Sequence, residues 1–216
     1  MSARGFFVAL EGVEGAGKTT QARLLGEWLS NEGIPHRVAR EPGGTPVGEA
    51  IRRVLLDAPD VEVPAETELL LMLAARAAYV RDVVRPVLER GEVMISDRFE
   101  LSTFAYQGLA RGLGLDRVRA LNAFATGGLS PDLTVVFDVS VTEGSERQGA
   151  AGKAHDRMER EDADFQQAVG RAYRQLAANE VAVVLLDGAG SEDEVQARLR
   201  HLLASRLPEP FHSARG

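Results

Sequence analysis

Five short, mostly apolar runs recur along the chain, each bounded by charges or glycine: Phe6–Glu11, His36–Arg40, Val93–Asp97, Leu133–Val139 and Val181–Leu186. Most lack the strict apolar–polar alternation of a half-exposed strand and read as strands buried on both faces. Between them, Lys18–Glu32, Val47–Leu56, Ala65–Arg90, Leu101–Leu109, Leu115–Ala125 and Asp162–Glu180 repeat their apolar positions with the helical period. A last helix is predicted to start after an N-cap at Ser191, with Glu194 three residues on completing a capping box, and to run to about Ala204. Strands alternating with helices predict an α/β fold, a five-stranded parallel sheet flanked by helices on both faces. In such sheets ligands gather beyond the carboxyl ends of the strands, so the last residues of each strand become candidates for a site.

Two segments break the pattern. Thr142–His155 reads TEGSERQGAAGKAH, with no apolar period and little that could enter a core. It is predicted as a loop without regular structure, a short lid over about 142–157. Ser205–Gly216 carries two prolines and little apolar content, and is predicted to be a frayed tail behind a single domain spanning 1–204.

Composition narrows the class. The 216 residues are 44% hydrophobic, enough for a full core, and the net charge of −7 argues against a nucleic-acid partner. There is no cysteine, so disulfides and thiolate metal sites are excluded. The apolar run at the N-terminus stops at Glu11, too short for a secretory signal, and Arg76 breaks the longest apolar stretch, so no membrane span is expected. A cytoplasmic protein is the expectation.

The residues after the first strand supply chemistry. Gly12-Val13-Glu14-Gly15-Ala16-Gly17-Lys18-Thr19 fits G-x-x-x-x-G-K-[ST], a phosphate loop, between a strand and a helix as that pattern requires. Glycines let successive N–H groups turn inward toward phosphate oxygens, and the start of a helix adds its positive dipole end. Lys18 can reach the outer phosphates of a nucleotide, and the Thr19 hydroxyl can hold Mg²⁺. The ATP-binding residues are thus Gly12 to Thr20. With the strand–helix alternation this predicts a three-layer phosphate-loop NTPase fold. Only Lys18 and Lys153 are lysines among 25 basic residues, which draws attention to Lys153 in the lid as well as to Lys18.

Asp97 ends the third predicted strand, where phosphate-loop enzymes place an acid that orders Mg²⁺, and Arg98 follows with a fork suited to a phosphate. Glu41-Pro42-Gly43-Gly44-Thr45 ends the second. Arg76, in an otherwise apolar helix, must reach solvent or pair with something, either a ligand or protein groups.

These features together resemble the thymidylate kinases over nearly the whole chain. The carrying residues are Leu10–Thr20, Arg40-Glu41-Pro42-Gly43-Gly44-Thr45-Pro46, Asp97-Arg98-Phe99 with Ser102–Gly108, Pro131-Asp132-Leu133 and Asp156-Arg157-Met158-Glu159 with Phe165. The resemblance implies transfer of the ATP γ-phosphoryl group to thymidine monophosphate (dTMP), with Mg²⁺ as cofactor, and a homodimer. It implies that Glu14 holds the sugar 3′-hydroxyl, that Arg52 and Arg98 grip the acceptor phosphate, and that Arg76, Thr103 and Gln107 meet the polar edge of the base. Tyr106 would crowd the sugar 2′ position, and Glu11 would stand near the metal held by Thr19 and Asp97. Met72 stands where the family usually stacks an aromatic ring on thymine. The phosphate loop has Gly15 rather than an arginine, so the catalytic cation beside Lys18 and Arg98 is expected from the lid, as Arg147 or Lys153. Alternatives are another phosphate-loop nucleotide or deoxynucleoside kinase and, from a different class, a GTP-dependent switch. The switch is disfavoured because the chain has no Asn-Lys-x-Asp guanine signature.

Overall fold

A computed structural model describes residues 4–57, 62–150, 157–158 and 161–208. Strands β1 (Phe6–Glu11), β2 (His36–Arg40), β3 (Val93–Asp97), β4 (Leu133–Asp138) and β5 (Val183–Asp187) form one all-parallel sheet in the order β2-β3-β1-β4-β5. Three boundaries match the sequence pattern to the residue; β5 starts two residues late because Val181 and Ala182 are exposed and turn before pairing begins.

The alternation of side chains along a strand explains the layering. On β1, Phe6, Val8 and Leu10 enter a core shared with Leu25, Leu29, Tyr173 and Leu199. Phe7 and Ala9 face the opposite way, among Tyr79, Val84, Leu88, Met94 and Phe99. Both faces of the strand are therefore dry, and helices must cover both. The register puts Leu10 beside Asp97 on one side and Val135 on the other, with Arg40 beside Asp97 in turn. The ends of β1, β2 and β3 therefore lie level, and their chemistry meets at one edge of the sheet.

The helices are α1 (Lys18–Asn31), α2 (Pro46–Leu56), α3 (Ala65–Tyr79), α4 (Arg85–Glu89), α5 (Glu100–Thr103), α6 (Leu115–Thr126), α7 (Val141–Ala150), α8 (Ala163–Asn179) and α9 (Glu192–Ala204). The long predicted helix Ala65–Arg90 is continuous but not uniform: Val80–Val84 is π-helical between α3 and α4. Pro86 has no N–H to give and its ring crowds the carbonyl one turn back, and the widened turn absorbs that conflict. The predicted Leu101–Leu109 helix likewise becomes α5 followed by a π-helical stretch, Phe104–Ala110.

Helix α7 lies where a loop without structure was expected. The Ser140 hydroxyl accepts the amide of Glu143 at 3.1 Å, as an N-cap does, and Arg147 pairs with Glu143 one turn earlier. Three glycines and the missing apolar period hid it, because local capping and one ion pair leave no hydrophobic signature. From Ser205, the described residues continue to pack: Leu207 is buried and its amide donates to Leu203 at 2.8 Å. Residues 209–216 lie outside the described part of the chain.

Ser191 caps α9 as predicted, its hydroxyl accepting from the Glu194 amide while Glu194 accepts from the Ser191 amide. Ser191→Ala is expected to lower stability by roughly 0.5–2 kcal/mol, read from the urea midpoint without ligand.

Candidate active site

A cleft of about 820 Å³ opens at the carboxyl ends of β1, β2 and β3. Its walls include Glu14 through Gln21, Glu41, Arg52, Met72, Arg76, Asp97, Arg98, Thr103, Tyr106, Gln107 and Arg147. Nearly every described residue that the sequence singled out is thus gathered in one place. The exceptions are informative. Gly12 and Val13 lie beneath the loop, where their carbonyls accept from Lys18 Nζ at 3.1 and 2.7 Å. Lys153 lies outside the described residues.

The phosphate loop turns through left-handed Gly17, with φ of 89°, into the first turn of α1. Lys18 is buried, and burial together with the Arg98 charge lowers its pKa, against the opposing pull of Glu14, Asp97 and Glu11. Thr19 Oγ1 donates to Asp97 Oδ2 at 2.6 Å. That pair of hard oxygens suits Mg²⁺. Among the described residues no group of three or more His, Cys, Asp or Glu side chains could hold a metal ion. A hydroxyl and one carboxylate need further oxygen ligands, so the ion fits here together with nucleotide phosphates, whose charge it would neutralise.

Arg98 is the only non-glycine residue among those described with positive φ, 71°, a conformation that side chains rarely adopt. Several contacts hold it. Its amide donates to Leu10 O at 2.9 Å, its guanidinium reaches Glu14, Ser102 and Tyr173, and it lies 5.5 Å from the Tyr106 ring centre. Burial alone would raise the Glu14 pKa, but Arg98 and Lys18 outweigh it and the net shift is downward. Glu14 therefore stays an anion that aims Arg98.

Glu11, expected near the metal, stands behind the cleft wall. It does not line the cleft, and its carboxylate accepts from the amides of Phe99 and Ser102 at 2.8 and 3.1 Å and from the hydroxyls of Ser102 and Tyr173 at 2.6 and 3.0 Å. Two of those bonds satisfy amides at the start of α5, where a carboxylate is also favoured by the helix dipole. Its task is to hold the Arg98 turn.

Arg76 neither snorkels nor stands free. Nε donates to Glu41 Oε2 at 2.8 Å, Nη1 to Thr103 Oγ1 and Asn122 Oδ1 at 2.9 Å each, and Nη2 to Phe99 O at 3.0 Å while lying 2.8 Å from the same Glu41 oxygen. Four hydrogen bonds and the ion pair with Glu41 thus hold the guanidinium. Both Glu41 contacts use one carboxylate oxygen; the other is buried with no hydrogen-bond partner among the described residues. Burial pushes the Glu41 carboxyl up to about 7, with Arg76 opposing.

At the far end of the cleft, Arg147 donates to Glu143 at 2.6 Å and to Gly188 O at 3.0 Å, beside the turn from β5 into α9. Helix α7 touches the phosphate loop backbone to backbone. A Cβ on Gly15 would overlap the Gly144 carbonyl, and one on Gly144 would overlap the carbonyl oxygen of Glu14. Both positions need glycine for that approach. Sequence reasoning did not single out Glu68, Asn122 or Tyr173, which orient cleft residues from 39, 46 and 75 positions away along the chain. No local pattern marks such partners.

The fold and the cleft define a phosphate-loop nucleotide phosphotransferase. The thymidylate kinase family profile matches residues 10–199. A thymidylate kinase of Desulforudis audaxviator is 47% identical over 209 residues, covering 94% of this chain and 93% of its own. One of Pseudomonas fluorescens strain Pf-5 is 47% identical over 213 residues, covering 98% and 99%. One of Ectopseudomonas mendocina is 45% identical over 204 residues, covering 94% and 97%. The chain belongs to the thymidylate kinase family.

Two predictions follow from this geometry. The unfolded Glu41 carboxyl ionises near 4.5 and the folded one near 7, so between those values the folded state keeps a proton that the unfolded state has lost. Stability from this group is therefore lost as pH rises through that window and is level above it. Relative to Glu41→Gln, the unmodified protein should be more stable near pH 5 than near pH 8 by on the order of 1–3 kcal/mol, as urea unfolding at the two values would show. Gly144→Val should push α7 off the phosphate loop and raise the ATP KM by about tenfold or more, at a stability cost of roughly 1–3 kcal/mol, measured by steady-state kinetics and thermal unfolding.

Proposed function

We propose that this protein transfers the γ-phosphoryl group of ATP, with Mg²⁺, to thymidine monophosphate, giving the diphosphate for deoxynucleotide synthesis in the cytoplasm. The observation that carries the reading is one cleft shared by a phosphate loop and the Arg98–Gln107 segment, in a chain of the thymidylate kinase family. The attacking group is a phosphate oxygen already ionised near neutrality, since its second pKa is about 6. No strong general base is needed. Catalysis then comes from aligning donor and acceptor and from balancing charge with fixed cations.

In this reading the loop from Gly12 to Thr20 and Lys18 hold the donor phosphates, and Thr19 and Asp97 hold Mg²⁺. Arg98 and Arg52 grip the acceptor phosphate, Arg52 being anchored by donating to Pro42 O at 3.0 Å. Glu14 takes the sugar hydroxyl while aiming Arg98, Tyr106 crowds the 2′ position, and Met72 packs its thioether on the base. Residues 142–157 serve as the lid on a single domain over 1–204. Helix α7 carries Arg147 at the nucleotide end of the cleft, and Lys153 is the second candidate cation. A homodimer is part of the proposal, supported by the exposed Leu70 on α3 and Phe124 on α6. Among the described residues no helix is long and apolar enough to cross a membrane.

In a panel of nucleoside and deoxynucleoside monophosphates with ATP and Mg²⁺, dTMP should give the highest kcat/KM in an assay coupled to ADP release. A better acceptor of another kind would replace the substrate assignment with the alternative of a different phosphate-loop kinase.

A further inference from the structure

Alternation along β3 puts Ser96 on the same face as Met94, in the core lined by Phe7, Tyr79 and Phe99, and it is fully buried there. A hydroxyl in so apolar a place is costly unless its hydrogen bonds are made. Ser96 Oγ donates to the Arg98 carbonyl at 2.6 Å, and Tyr79 Oη lies 2.9 Å from the same serine oxygen. Serine has one hydrogen to give and gives it to Arg98, so the tyrosine is the donor in the second bond. Burial pushes the Tyr79 pKa up, which keeps that donor protonated near neutrality. Its ring packs against Gly44, where a Cβ would come within 3.1 Å of two ring carbons. The tyrosine hydroxyl is therefore held in place from the turn after β2.

The carbonyl that Ser96 holds belongs to the peptide unit between Arg98 and Phe99, and the N–H of that same unit donates to Glu11 Oε1 at 2.8 Å. On the other side of the Arg98 Cα, the Arg98 amide donates to Leu10 O at 2.9 Å. Both peptide planes that flank this Cα are thus fixed, and with them the φ of 71°. A peptide pinned at one end can still rotate; one pinned at both cannot. We propose that Ser96, oriented by Tyr79, is a positioning residue for phosphate recognition: it fixes the Arg98 carbonyl and so aims the guanidinium into the cleft. This rests on reading Arg98 as a grip on the monophosphate of the acceptor. Ser96 does not itself line the cleft, so it acts on the ligand only through Arg98. Glu14 steers the guanidinium from its far end, whereas Ser96 sets the direction in which the side chain leaves the backbone. A small backbone rotation is magnified at the end of so long a side chain, and a forked contact with phosphate depends on angle.

Calorimetry on the full-length protein would give Kd for dTMP and for thymidine, which carries the same base and sugar without the phosphate. The ratio of the thymidine Kd to the dTMP Kd reads the phosphate grip alone. In Ser96→Ala that ratio should fall by about tenfold, roughly one charge-assisted hydrogen bond's worth, while the thymidine Kd stays unchanged. Ser96→Ala also strands the buried Tyr79 hydroxyl. Ser96→Ala combined with Tyr79→Phe removes that hydroxyl and should be the more stable of the two in urea unfolding, yet its ratio should stay low because the Arg98 carbonyl is still unheld. An unchanged ratio, equal losses on both ligands, or a ratio that recovers along with stability in the double variant overturns the inference; the double variant decides if the single one does not fold. An unmodified protein that binds thymidine as tightly as dTMP would remove the functional reading itself, before any variant is made.

Discussion

Burying a guanidinium is costly unless its charge is paired and its N–H groups are hydrogen-bonded, and Arg76 draws in four parts of the chain through one ion pair and four hydrogen bonds. Glu41 comes from the end of β2, Phe99 from the turn after β3, Thr103 from the end of α5 and Asn122 from α6. Removing any one of them leaves a buried donor without a partner, so these elements hold their places jointly. The cleft wall that these elements form is a consequence of this single ion.

The phosphate side depends on a second buried charge. Glu11 leaves the end of β1 and, with three of its four hydrogen bonds, pins the segment after Asp97, while the fourth ties it to Tyr173 on α8. That clamp sustains the positive φ of Arg98, a backbone cost of roughly 1–3 kcal/mol that would relax if the surroundings were loose. The strain aims the guanidinium at Glu14 and the phosphate loop. The same region holds the close approach of Gly15 and Gly144, so α7 and the loop cannot shift independently. Position, not flexibility, is the property that this architecture protects.

Much of this was legible along the chain. Buried parallel strands announce themselves because both faces must be apolar, and β1 and β3 were bounded to the residue on that ground, while the half-exposed edge strand β2 carries charges at its ends. The phosphate loop and Asp97 were legible because their backbone demands and their place at strand ends are local. Helix α7 was not, since a cap and one ion pair carry no periodic signal. Nor were the π-helical stretches, which keep an apolar face while changing which residues share it. Glu11 was singled out through the family resemblance, but the partners of its four hydrogen bonds were not legible, because Phe99, Ser102 and Tyr173 lie 88 to 162 positions away.

By itself the sequence determined the α/β layering and the phosphate loop, since both follow from periodicity and from residue types at fixed spacing, while most of the other cleft residues were named through the family resemblance. Tertiary structure alone decided which partner each buried charge would take: Glu41 for Arg76, Gln107 for Glu68, Tyr173 for Glu11. Those choices span 35, 39 and 162 positions. No local interaction selects among distant partners. Only packing, by removing water from every polar group at once, forces each charge onto the one acceptor or donor within reach.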